Sequence, residues 1–414
     1  MTNDPNENKS GYKKTKVGWI PQDWSCDNLK SLIKCFSGGT PNRAISEYYI
    51  GSIPWIKSGE LNTKNIYTTS ECISEVAVSN SSTRFIEPDT LLYALYGATA
   101  GIPAFCRVHA TTNQAVLALF PKNNINIDFL YFWLLNNRKY LINRFTQGGQ
   151  PNLSATIVLS FICPRPPLSE QKKIAAVLSA WDDAIEQTRD LITKKQSQKT
   201  ALMQKILTGK KRLLGYSSSW HTVSFSELFK RVVRPLPVED GKAYRLVSIR
   251  RRGNGLFERG VYSSDNIGYT ELNTTHVDDF LVSKRQATHG AVAIVTQAFA
   301  NTHVSSEYTI FEKKEDVAIS MRFFSWYIRR RELWHMAYIS SNGVHIEKLI
   351  FNPKHFLKLH ITIPPTTEEQ NAIASALDTS DTEISTLEAR LSALEKQKKG
   401  LMQKLLTGEI RVNL

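Results

Sequence analysis

Paired cysteines, long apolar runs and nucleotide-binding motifs are all missing from this 414-residue chain. Its five cysteines (Cys26, Cys35, Cys72, Cys106, Cys163) are odd in number, scattered, and never spaced as Cys-x-x-Cys. That speaks against a disulfide framework and against a zinc site, and a reducing cytoplasm is the expected home. No apolar run approaches the ~20 residues that span a bilayer. Residues 1–16 are polar and basic and lack the apolar stretch of a signal peptide. No Gly-x-x-x-x-Gly-Lys-Ser/Thr cradle is present, so the chain is not expected to be a nucleotide-driven motor. No glycine-rich strand–turn–helix with a downstream acid marks a dinucleotide or methyl-donor site. Asn-Pro-Pro-aromatic and Asp-Pro-Pro-aromatic signatures are absent too. The nine histidines form no His-Glu-x-x-His, so a catalytic metal is not expected. Asp89, with Glu312 and Lys314, has the wrong spacing for a nuclease and reads as a turn before a strand. The chain is therefore not expected to be an enzyme.

What is present is an ordinary globular composition, 42% apolar and 22% charged, long enough for two or three domains. The formal net charge is +14. Residues 1–163 hold 15 basic and 11 acidic residues, 164–212 hold 11 and 5, 213–363 hold 20 and 14, and 364–414 hold 6 and 8. The excess lies in both globular segments and the stretch between them. It points to a nucleic-acid partner; a generally basic protein is the plainer alternative.

The chain also ends twice. Leu202-Met203-Gln204-Lys205-Ile206-Leu207-Thr208-Gly209 returns 199 residues later as Leu401-Met402-Gln403-Lys404-Leu405-Leu406-Thr407-Gly408. The same offset takes Glu170-Gln171 to Glu369-Gln370, Asp182 to Asp381 and Ile185 to Ile384. A constant register over this distance is a duplication, with a unit far longer than a solenoid repeat. Residues 1–163 and 213–363 read as α/β (α+β) domains; 164–212 and 364–414 read as helical spacers. Strands are expected at 52–56, 90–96 and 115–120, then at 246–249, 292–295 and 308–311. Helices are expected at 127–144 and 321–334. Ser169 is the expected cap of the first long helix, and Thr367 opens the second.

Both long helices carry heptads. Ile174, Trp181, Thr188, Lys195 and Leu202 step by seven, with Leu178, Ile185, Ile192, Lys199 and Ile206 between them. In the second helix Ile373, Ser380, Leu387, Leu394 and Leu401 alternate with Leu377, Ile384, Leu391, Lys398 and Leu405. These are coiled-coil seams, most simply facing each other in an antiparallel pair that restores two-fold symmetry. Trp181 would fill the gap opposite small Ser380. Lys194-Lys195 and Lys398-Lys399 read as solvated faces, and the repeated Leu-Met-Gln-Lys ends as a partner dock. A helix over 170–208 would be about 58 Å long.

Several stretches in order resemble the specificity (S) subunit of Type I restriction-modification systems. They are Ser37-Gly38-Gly39-Thr40-Pro41, Gly51-Ser52-Ile53-Pro54-Trp55-Ile56, Gly97-Ala98-Thr99-Ala100-Gly101, Thr112-Asn113-Gln114-Ala115, and Gly148-Gly149-Gln150-Pro151-Asn152. They lead to Pro166-Pro167-Leu168-Ser169-Glu170-Gln171 and a helix ending in Leu-Thr-Gly, in duplicate. The resemblance implies two target-recognition domains, each reading one half of a bipartite double-stranded DNA target. The conserved helices would set the spacing and dock two modification (methyltransferase) subunits, and restriction (motor-nuclease) subunits would join them. No cofactor is implied for this chain. S-adenosylmethionine would belong to the methyltransferase partners, and ATP and magnesium to the restriction partners. A solitary modification system without a nuclease, or a coiled-coil assembly scaffold, are the alternatives.

Arg and Lys suit guanine edges and phosphates, and Asn and Gln suit adenine. The first-domain candidates are Thr40, Arg43, Lys57, Ser58, Asn62, Lys64, Thr99, Asn113, Gln114, Gln147, Gln150 and Asn152. Asn113 and Gln114 open a strand and could instead satisfy backbone groups. The second-domain candidates are Arg250, Arg251, Arg252 and Asn254 on a flexible basic loop end, with Lys284, Arg285, Gln286 and His303. Arg329-Arg330-Arg331 would sit late in a helix and complement its dipole. Ser306 stands where Asn113 stands in the first domain. Domains this different should read different half-sites, making an asymmetric target.

Overall fold

The structure, a computed structural model, describes residues 6–145, 152–345 and 348–413. It forms two compact units. One takes in Met1–Arg189 and Ala389–Leu414, the other Asp190–Glu388. Each unit therefore holds one α/β domain and half of each long helix.

In the first unit the central sheet runs Ile33–Ser37, Val116–Pro121, Leu91–Ala94, Pro103–Cys106, Asn65–Ile66, antiparallel except for the last pairing. The strand residues alternate between two apolar layers, as a period of two requires. Leu91 and Tyr93 face the helix Ile127–Phe145, with its buried Phe129 and Phe132. Leu92 and Ala94 face a smaller core with Ile56, Ala104 and Val116. Both faces are covered, which explains the near-continuous apolar runs of these strands. A second sheet places Ile53–Ile56 parallel to Ala110–Thr112.

The second unit repeats the plan. Its sheet runs Phe229–Val232, Tyr308–Lys313, Phe280–Ser283, Val292–Ile294. The strand Ala243–Ile249 pairs in parallel with His303–Ser305, and the hairpin partner Leu256–Ser263 is added at its edge. The helix expected at 321–334 is broken into Met321–Tyr327 and Arg331–Ile339. Arg330 is extended at the break and donates from Nη1 to the carbonyl of Leu207, with its guanidinium over the Tyr327 ring. Trp334 Nε1 caps the freed carbonyl of Ile328 at 2.9 Å. These tertiary anchors outweigh local helix propensity. Arg330 and Arg331 consequently begin a helix rather than complement its C-terminal end.

The long helices are Leu168–Ile206 and Thr367–Leu406. The first starts one residue before Ser169, which thus lies inside the first turn. Within the first unit, Asp182 pairs with Lys398 and Arg189 with Glu395. Within the second, Lys195 pairs with Glu383 and Lys199 with Asp381. Numbers rise on one helix as they fall on the other, so the helices pack antiparallel. Ile174, Leu178, Ile185, Ile192, Ile373, Leu377 and Ile384 are buried, whereas Leu202, Leu387, Leu391, Leu394 and Leu401 are half-buried. Lys195 and Lys398 make cross-helix pairs instead of lying on solvated faces.

Trp181 does not fill a gap opposite Ser380. Asp182 meets Lys398 in the first unit, while Ser380 belongs to the second and borders a cleft with Lys195, Gln198 and Lys199. In an antiparallel pair, positions equivalent by duplication meet only near the middle, and Trp181 and Ser380 lie well away from it.

Each domain is seated on its helix by the same buried acid. Trp24 Nε1 donates to Glu170 Oε2 at 2.9 Å, and Trp220 Nε1 to Glu369 Oε1 at 3.1 Å. Gln171 and Gln370 bond the backbone of the segments before and beside them, including Pro166 and Pro364 carbonyls. Among the described residues no helix is long and apolar enough to cross a membrane.

Candidate nucleic-acid interface

In the first domain, the ends of the parallel pair Ile53–Ile56 and Ala110–Thr112 bring four loops together. Gly39 donates to the Thr112 carbonyl, and Trp55 Nε1 donates to the Gly39 carbonyl at 3.1 Å. A Cβ on Gly38 would lie 1.9 Å from the Thr112 carbonyl oxygen, so only glycine fits there. Thr40 bonds Gln114, and Thr99 Oγ1 donates to the Ser58 carbonyl at 2.7 Å. Asn113 accepts from the Ala115 amide at 3.1 Å and so shapes its own turn. Asn152 is exposed and bridges to Tyr96, beside the 97–101 loop.

Thr40, Ser58, Thr99, Asn113, Gln114 and Asn152 thus share one loop face, with exposed Asn62 following Ser58. Arg43 and Lys57 reach it too, but Glu71 takes both: Arg43 at 2.8 Å and Lys57 at 2.5 Å. The Lys57 and Arg43 charges hold the Glu71 carboxyl below the usual range. Arg43 also lies over the Tyr49 and Trp55 rings. Lys64 turns away from the face to Asp182 on the long helix, at 2.8 Å. Gln147 and Gln150 lie outside the described residues.

Glu71 carries no local mark, lying 28 and 14 positions from its partners. Arg138, whose Nε and Nη2 hold the carbonyls of Ala100 and Ala98, is equally unmarked.

In the second domain, Arg250–Asn254 form the tip of the hairpin between Ala243–Ile249 and Leu256–Ser263. The tip is fixed rather than loose. The Arg252 amide donates to His289, and the Gly253 amide to Gly290, at 3.0 and 2.8 Å. Arg252 takes a left-handed φ of 63°. Arg250 Nη1 is turned back to the Leu256 carbonyl and lies over Phe257. Arg251 and Arg252 are exposed and make no ion pair among the described residues. Lys284 and Gln286 are half-buried in the neighbouring loop, and Arg285 is paired with Glu307 at 2.9 Å. His303 stands apart, half-buried at the start of the strand His303–Ser305 against Tyr244, and burial lowers its pKa.

The two loop faces sit at equivalent strand ends yet present different chemistry: neutral amides and hydroxyls in one, free arginines in the other. Among the described residues no three His, Cys, Asp or Glu side chains are placed to hold a metal ion.

Two equivalent domains, each with a polar loop face and each seated on an antiparallel helix pair, define a duplicated recognition scaffold. The chain belongs to the Type I restriction modification DNA specificity domain family, whose model matches residues 21–194 and 218–396. It is 24% identical over 421 residues to the Type I restriction enzyme MjaVIII specificity subunit of Methanocaldococcus jannaschii, covering 95% of this chain and 94% of that one. It is 33% identical over 180 residues to the MjaIX specificity subunit of the same organism, covering 42% of this chain and 41% of that relative. Its fold matches the crystal structure of a Type I restriction-modification S subunit from M. genitalium. The TM-score is 0.56 at 14% identity, over 97% of this chain and 98% of that one.

Proposed function

We propose that the protein is the non-catalytic DNA-reading subunit of a Type I restriction-modification complex, with each domain recognising one half of a bipartite, asymmetric double-stranded target. The observation that carries this is the pair of loop faces, equivalent in position and different in chemistry. Equal scaffolds with unequal tips read two different short sequences.

The mechanism is positioning. Arg251 and Arg252 supply charge to phosphates or guanine edges, while Thr40, Asn62, Gln114 and Asn152 supply the neutral donors and acceptors that discriminate bases. The half-sites would lie roughly one to one and a half helical turns apart. Two methyltransferase subunits would dock on the helices, bring S-adenosylmethionine and flip the target base. Restriction subunits with ATP and magnesium would complete the complex in the cytoplasm.

Long-read methylome sequencing of a host carrying this chain and its methyltransferase tests the reading, beside a deletion of this chain. A bipartite asymmetric motif that vanishes on deletion is the expected result. A methylated motif that persists without the chain overturns it.

A further inference from the structure

Asp182 and Asp381, 199 residues apart, make the same forked contact. Asp182 Oδ1 takes Lys398 from the opposite helix, and its Oδ2 takes Lys64 from the first domain at 2.8 Å. Asp381 Oδ1 takes Lys199 from the opposite helix, and its Oδ2 takes Arg329 from the second domain at 3.5 Å. The cations share an aromatic floor at equivalent places. Lys64 and Lys398 lie over Phe132, 5.1 and 5.4 Å from the ring centre. Arg329 and Lys199 lie over Trp326, at 3.9 and 5.7 Å.

The helix lysines, Lys199 and Lys398, are equivalent by the duplication. The domain cations are not. Lys64 follows the first reading loop, two residues after Asn62. Arg329 lies two residues past the helix Met321–Tyr327 and backs the second reading loop: a Cβ on Gly253 would lie 3.0 Å from its Cα. Two domains with divergent loops thus supply a cation from unrelated positions to aspartates equivalent by the duplication, and each time from immediately behind the loop that faces DNA.

The leverage is also the same. Each aspartate stands fourteen residues into its helix, from Leu168 or from Thr367, hence about 21 Å from the point where the domain joins. The apolar anchors near the join, Ile174 and Leu178 or Ile373 and Leu377, resist separation. A contact this far out resists rotation of the domain on the helix.

We propose that Asp182 and Asp381 are positioning residues that lock each reading loop to the helix pair, and that this lock sets how strictly the protein selects the spacing between its half-sites. The inference rests on the bipartite reading above. The bases recognised belong to the loops; the tolerance in spacer length belongs to the two aspartates.

The test uses the full chain with its methyltransferase. Duplexes carrying both half-sites at the native spacer and at one base pair more or less are compared, and methylomes are read alongside. Asp182→Asn and Asp381→Asn should keep the half-sites while the preference for the native spacer falls from at least about tenfold to under about threefold. Lys64→Met should do the same and Lys64→Arg should restore stringency. Lys398→Met, which removes only the helix–helix arm, should leave it intact. Thermal unfolding of each variant identifies general loosening: equal relaxation by Lys398→Met would reduce the fork to ordinary stability and overturn the proposal. Unchanged stringency in both aspartate variants, with half-sites still read, would overturn the lock alone and leave the recognition reading standing. A wild-type protein with no bipartite target would overturn both.

Discussion

Arg411 closes on Glu170 with two hydrogen bonds, Nε to Oε1 at 2.6 Å and Nη2 to Oε2 at 2.8 Å. Its counterpart 199 residues earlier, Arg212, grips Glu369 in the same way, both contacts at 2.8 Å. Glu170 and Glu369 are almost fully buried, and each also accepts a tryptophan N–H. The two forks differ in connection. Arg212 lies on the stretch that runs directly from one helix into the second domain, whereas Arg411 comes from beyond the end of the other helix. Removing either arginine leaves a buried carboxylate short of its cation, which costs more than the pair itself contributes. Arg212→Met and Arg411→Met should each lower stability by about 1–3 kcal/mol. Arg212→Met should cost more, because the Arg212 side chain is the less exposed, 24% against 39%. Denaturant titration with matched slopes checks both.

Free arginines at the second loop face should show in salt dependence. Arg251→Ala should weaken DNA binding across all sequences and lower the slope of log affinity against log salt by about 1. Arg252→Gly should do likewise without straining the turn, since its φ is already left-handed. Arg285→Ala should change the slope less, Glu307 already neutralising that charge. Equal slopes for wild type and all three variants would remove this tip from the phosphate contacts.

If the helices act as a ruler, inserting one heptad into both, about 10 Å, should lengthen the unspecified spacer and leave the half-sites unchanged. Methylome sequencing that found altered half-sites would sink the idea. Exchanging residues 20–163 for another such domain should alter one half-site only; a change in both would refute modular reading.

His303 gives stability a pH dependence. Burial penalises its charged form and lowers its pKa below 6.5. As pH falls, the unfolded chain takes up the proton first, so stability is full above about pH 6.5 and drains until the folded imidazole protonates. Thermal unfolding at about pH 7.5 and about pH 5.5 should differ less in His303→Gln than in wild type. An equal difference in both proteins would assign the effect elsewhere.

Much of the architecture was legible because it is periodic. Heptads marked the helices, a constant offset marked the duplication, and apolar runs marked the doubly covered strands 91–94 and 116–121. What the sequence did not show has one cause. Arg43, Lys57 and Lys64 are candidate DNA contacts by residue type, and their acidic partners Glu71 and Asp182 come to them only through the fold. The break at residues 328–330 depends on the distant Leu207 carbonyl and on Trp334. Trp181 and Ser380 match by repeat position, but antiparallel packing sends each to a different partner. Partners far apart in sequence leave no local pattern.

The burial gradient along the long helices has a dynamic consequence. An isolated helix frays from its ends, where backbone groups lack partners. Here the ends are embedded in domain cores through Ile174, Leu178, Ile206 and Leu207, while mid-helix burial is confined to a narrow seam at Ile185, Ile192 and Ile384, with Leu191 40% exposed and Leu387, Leu391 and Leu394 only half-covered. Amide hydrogen exchange should therefore run in reverse, fastest at mid-helix and slowest at the termini. The stretches around Leu191 and Leu387–Leu394 would be the softest parts of the two long helices, most readily stiffened by whatever comes to cover them.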